Sequence, residues 1–81
     1  MKKVKKVNLY LAGGATCDYT KEFKVYYTDD IKKTSEDIVK QIMDEEVIFV
    51  KRHDNRMIAI RTKQIVGITV DFKDVEEDEE T

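Results

Sequence analysis

Residues 47–72, VIFVKRHDNRMIAIRTKQIVGITVDF, hold three runs of β-branched and apolar side chains separated by two polar breaks too short to house a helix. Such a segment must turn back on itself twice, and the expected product is a three-stranded antiparallel meander. Residues 47–50 are continuously apolar, which predicts an inner strand or one covered on both faces. In the HDNR break, Asp54 and Asn55 can supply the positive φ angles of a two-residue turn. Residues 57–62 then return with Ile58 and Ile60 on one face, TKQ makes the second turn, and residues 65–72 place Val66, Ile68, Val70 and Phe72 on a common side.

Upstream, Val7, Leu9 and Leu11 alternate with Asn8, Tyr10 and Ala12, predicting a strand over residues 3–12. Beyond Gly13 and Gly14, Phe23, Val25 and Tyr27 alternate with Lys24 and Tyr26, predicting a second strand that closes a hairpin. TDDIKK reads as a polar break. Thr34 or Ser35 can then cap a helix over residues 35–45, with Glu36 and Asp37 beside its positive end. Ile38, Val39, Ile42 and Met43 form the stripe that packs on the sheet. The expected fold is a single small α+β domain of order ββαβββ over residues 1–72: an antiparallel sheet, one helix packed on it, and an acidic disordered tail at 73–81.

A chain of 81 residues buries only about 60% of the surface its unfolded form exposes, so self-association is a natural way to complete its core. Charge is divided unevenly. Residues 71–81 contain seven acids and one lysine, a net of −6; with −2 for the whole chain, residues 1–70 carry +4. An acidic tail of this kind either stays solvated or competes with polyanions for a basic surface, over a range of about 8 Å at physiological salt. The single cysteine, Cys17, cannot staple a fold, and with only His53 beside it there is no zinc spacing, so neither metal nor cofactor is expected and a reducing cytoplasmic setting is. MKKVKKV opens like the basic region of a signal peptide, but the apolar run after it is too short and too polar for export or membrane spanning.

The segment LYLAGGATCDYTKEF concentrates two glycines, the cysteine and a polar cluster. It fails the phosphate-loop spacing: counting from Gly14, the required glycine and lysine fall on Tyr19 and Thr20. A tight turn in a long hairpin accounts for the glycines, with a contact loop as the functional alternative. Cys17 and His53 lie in different elements and lack an orienting third group, so no nucleophilic pair is read from them. The adjacent carboxylates at Asp29-Asp30 and Asp44-Glu45-Glu46 flank turns and helix ends, where charge is solvated. The chain is therefore expected not to be an enzyme.

A basic and aromatic surface is the stronger candidate. Lys51, Arg52, Arg56 and Arg61 gather around the HDNR turn and the strand after it, and Tyr10 and Tyr26 lie on the first hairpin. Cations neutralise phosphates, and tyrosines on a sheet offer stacking platforms for unpaired bases. MIAIRTKQIVGITV, residues 57–70, resembles the second signature of Sm-like RNA-binding ring proteins: a strand ending in Ile-Arg, a short turn, then Ile-x-x-Ile. The likeness is confined to this segment; Thr62 stands at the turn glycine, the first signature's Asp/Asn pattern is missing, and a helix is expected where that fold has strands.

Two classes of function follow. The first is a small non-enzymatic interaction or inhibitory module, such as a phage or mobile-element accessory protein acting on a host protein, in keeping with 40% charged residues and no proline. The alternative is an oligomeric nucleic-acid or nucleotide binder that uses the basic and aromatic sheet surface. The partners expected are thus a host protein or a second copy of the chain, or nucleic acid, and not a membrane.

Overall fold

The computed structural model describes residues 1–52 and 54–75. Six strands and one helix follow one another as β1 (Lys2–Leu11), β2 (Thr16–Asp18), β3 (Tyr27–Thr28), α1 (Ile31–Met43), β4 (Val47–Lys51), β5 (Met57–Arg61) and β6 (Ile65–Asp74). Single 3-10 turns occupy Thr20–Phe23 and Thr62–Gln64. The α+β class holds, with one helix packed against antiparallel sheets.

The organising strand is β1. One edge pairs with β6 along almost its whole length, and the other pairs with β2 at residues 8–10 and with β3 at Lys2 and Lys3. Its side chains do not alternate strictly, because Lys5 is an extra residue between Val4, opposite Phe72, and Lys6, opposite Asp71. That bulge leaves Lys5 and Lys6 both exposed while Val4 and Val7 are both buried. A second bulge falls on β6: Tyr10 faces Gly67 and Leu11 faces Ile65, so Val66 is skipped. Val66 is accordingly 70% exposed and does not share the inward face of Ile68, Val70 and Phe72, contrary to the alternation read from the sequence.

The meander is not formed. β4 and β5 make a separate two-stranded sheet, and β6 leaves it to pair with β1. The redirection occurs at Thr62, where the backbone N–H donates to Glu46 O at 3.1 Å and the side-chain hydroxyl donates to Glu45 O at 2.6 Å. These bonds tie the end of β5 to the segment between α1 and β4, and the 3-10 turn that follows swings β6 away. The 47–50 run is also not covered on both faces: Ile48 and Val50 are buried, but Phe49 between them is 62% exposed.

The predicted second strand survives only at its end, as Tyr27–Thr28 paired with β1; before it the chain forms the 3-10 turn at Thr20–Phe23. Tyr19, Phe23 and Tyr26 recur at spacings of four and three, a helical rather than an extended period, and their rings cluster at 5.7 and 5.8 Å. Phe23 points into the core and Val25 stays in solvent. The first hairpin still turns at Gly13 and Gly14, whose φ angles of +93° and +91° suit glycine, with Leu11 N–H donating to Ala15 O at 2.8 Å.

The helix starts four residues earlier than expected. Asp30, not Thr34 or Ser35, is the N-cap, its carboxylate accepting from Lys33 N–H at 3.0 Å, while Ser35 bonds back to Ile31 O at 2.7 Å inside the first turns. Ile38 and Ile42 deliver the apolar stripe to a core shared with Val4, Val7, Leu9, Phe23 and Ile48. Full burial of such side chains contributes roughly 1.5–3 kcal/mol each. At the other end β6 continues through Asp74, where Lys2 Nζ pairs with the Asp74 carboxylate at 2.5 Å and Val75 N–H donates to Met1 O, so residues 73 and 74 belong to the sheet and Val75 is tied beside it. The expected tail otherwise falls on 76–81, outside the described residues. No helix among the described residues is long and apolar enough to cross a membrane.

Candidate binding surface

The β4–β5 hairpin sets its residues on two faces. Ile48, Val50 and Ile60 turn inward; Phe49, Lys51, Met57, Ala59 and Arg61 turn outward, with Phe49 opposite Ala59 and Lys51 opposite Met57. Its turn closes through Arg52 N–H to Arg56 O at 2.7 Å; of the two positive φ angles expected from the sequence, Asn55 has one at +66° and Asp54 does not. Asp54 accepts from Arg56 N–H and lies 3.6 Å from the Arg56 guanidinium, so that cation is partly neutralised by its own turn.

Opposite the start of this turn stands the segment from β2 through the 3-10 turn. Between the two lies an open cleft of about 640 Å³ rimmed by Lys21, Lys24, Lys51 and Arg52, with Cys17 and Thr20 in its wall. All four cations are exposed, and among the described residues none of them forms a salt bridge. The one carboxylate in the cleft, Asp18, accepts from both the N–H and the hydroxyl of Thr20. That hydroxyl, then the Thr20 N–H and the Lys6 and Lys24 charges, hold its pKa below the ordinary carboxylate value against a smaller opposing effect of burial. Cys17 is 8% exposed; burial pushes its thiol pKa up, with Arg52 partly opposing and Asp18 adding to the rise. A buried, protonated thiol is a poor nucleophile. The His53 half of the pair considered from the sequence lies outside the described residues.

The cleft runs into a smaller hollow of about 270 Å³. The two share Asp18, Lys21, Val50 and Lys51, and the hollow adds Tyr19, Glu22, Phe49 and Met57, the last two 62% and 57% exposed. Cationic rim and apolar shelf are therefore contiguous.

The six candidate residues do not form one surface. Lys51 and Arg52 stand together on the cleft, and Arg56 is at the tip of the same hairpin. Arg61 is at the far end of β5, in a separate hollow of about 330 Å³ with Glu46 and Lys63. Tyr10 lies on β1 against Gly67. Tyr26 is half-buried beside α1, its hydroxyl 3.2 Å from Gln41 Nε2, in a hollow flanked by Glu22 and Glu45 whose charge repels phosphate. The sequence reading missed Lys21, Lys24, Phe49 and Met57. Lys21 and Lys24 bracket the buried Phe23 at a spacing of three, a signal visible only once that segment is read as helical.

The chain matches no protein-family model, no curated protein and no solved structure at the level that would establish kinship.

Proposed function

We propose that this protein is a non-enzymatic binding module that holds an anionic partner in the cleft between the β4–β5 hairpin and the 3-10 turn. The observation that carries this reading is the set Lys21, Lys24, Lys51 and Arg52: four exposed cations converging on one concavity whose one carboxylate, Asp18, accepts hydrogen bonds from Thr20. Four cations against one carboxylate leave the cleft with a positive excess, which focuses potential on whatever enters it. Binding without turnover is also how a small inhibitory accessory protein acts on a host target, and a protonated, buried Cys17 supports a module without a nucleophile. The free thiol fits a reducing cytoplasm.

The test is retention on heparin at low salt. The parent protein is expected to bind and to elute as salt rises, and Lys24→Gln with Arg52→Gln is expected to elute much earlier at an unchanged melting temperature. Flow-through of the parent protein at low salt would defeat the proposal.

A further inference from the structure

We infer that the anionic partner is single-stranded nucleic acid, with phosphates in the cationic cleft and an unpaired base on the Phe49 shelf. This rests on the proposed anion-binding role of the cleft and adds to it the identity of the occupant.

The argument is the adjacency of two unlike surfaces. A cleft that served only an acidic polypeptide needs cations and hydrogen-bond donors; it has no use for a bare aromatic ring beside them. Here Lys21 and Lys51 lie on the boundary, lining both the cationic cleft and the hollow that contains Phe49 and Met57. A nucleotide strand has the matching alternation, a charged backbone carrying flat apolar bases to one side. Base-on-aromatic stacking is tolerant of sequence because every base has a π face. A duplex keeps its bases stacked within the helix and leaves Phe49 in water. The hairpin also holds the ring in place without needing it for the core: Phe49 is opposite Ala59, a side chain too small to cover it, while its neighbours Ile48 and Val50 anchor the strand.

The charge count sets an expectation for salt. Four cations contacting four phosphates give a slope of log affinity against log salt of about −3, at roughly −0.7 per phosphate for single strands. Loss of the stacked base has a different signature, a lower affinity with the same slope.

The experiment measures fluorescence anisotropy of a labelled twelve-residue oligodeoxythymidine, a twelve-base-pair duplex and poly-L-glutamate over a range of salt. The oligodeoxythymidine is expected to bind tightest with a slope near −3. Phe49→Ala should weaken it by at least about fivefold at unchanged slope, and Lys21→Gln with Lys51→Gln should reduce the slope by about 1.4. Melting curves accompany each variant, and since Phe49 is exposed the alanine variant should fold like the parent. Equal binding of duplex, or Phe49→Ala indistinguishable from parent on the single strand, would overturn the strand assignment while leaving the anion-binding proposal standing. Tighter binding of poly-L-glutamate would do the same and point to an acidic protein. Failure of all three probes together with heparin would remove both.

Discussion

The hydroxyl of Thr20 serves Val7 as the neighbouring strand would: Val7 N–H donates to Thr20 Oγ1 at 3.0 Å, and Tyr19 N–H donates to Val7 O at 2.8 Å. The need arises because β2 reaches only Asn8 and β3 only Lys3, leaving the middle of β1 without a strand on that edge. A buried N–H left unpaired costs roughly 1–3 kcal/mol, so the 3-10 turn is held by one side chain in register with a gap.

Thr20→Val, which keeps the shape and removes the hydroxyl, should therefore lower stability by about 1–3 kcal/mol. In a domain of this size each kcal/mol corresponds to roughly 4–8 °C in Tm. Thermal denaturation followed by circular dichroism tests this, and a Tm within a degree of the parent would exclude the role given to Thr20.

Asp18 should make stability sensitive to acid. Its folded pKa is lowered, first by the Thr20 hydroxyl, so its contribution is present above the ordinary carboxylate range near pH 4 and is lost as pH falls through the lowered folded value. Asp18→Asn should flatten this part of the acid limb. Urea midpoints compared between pH 7 and pH 3 should show a smaller drop for the variant than for the parent protein.

Self-association should involve β6. Among the described residues β6 pairs only with β1, and the skipped Val66 lies exposed near Tyr10, itself 39% exposed. A ten-residue strand with one unpaired edge is a template for a second copy. Sedimentation equilibrium at micromolar concentration is expected to give a mass above one chain, and Val66→Lys to shift it toward the monomer. A single-chain mass for the parent protein would contradict this.

Removing residues 76–81 deletes five carboxylates and changes the formal net charge from −2 to +3. Affinity for a polyanion at low salt should rise, and the gain should fade by a few hundred millimolar salt as screening sets in. If affinity falls instead, the acidic residues are themselves contacts for the partner.

Local patterning was legible where one surface alone decides the structure. The period of two in residues 3–12 predicted β1, the glycine pair predicted its turn, the Asp54-Asn55 signal found the one positive φ at Asn55, and the stripe of Ile38, Val39, Ile42 and Met43 predicted the buried face of α1 apart from Met43, which is exposed. What escaped depended on partners distant in sequence. Nothing within residues 57–72 reveals that β6 prefers β1 to β5, since both offer apolar faces; Thr62 makes that choice through carbonyls sixteen and seventeen residues upstream. The binding surface divided in the same way. Lys51 and Arg52 were visible as a basic turn, whereas Lys21 and Lys24 gained meaning only when the aromatic period of Tyr19, Phe23 and Tyr26 curled their segment against the hairpin.

The β1–β6 ladder also orders events during synthesis. β1 is complete at Leu11, yet its long partner starts only at Ile65 and closes at Asp74. Until that partner has been made, Val4, Val7 and Leu9 have only the short β2 and β3 beside their strand. Pairings this remote in sequence form slowly because the intervening loop must close first, and the lysines at positions 2, 3, 5 and 6 discourage that strand from pairing with other chains.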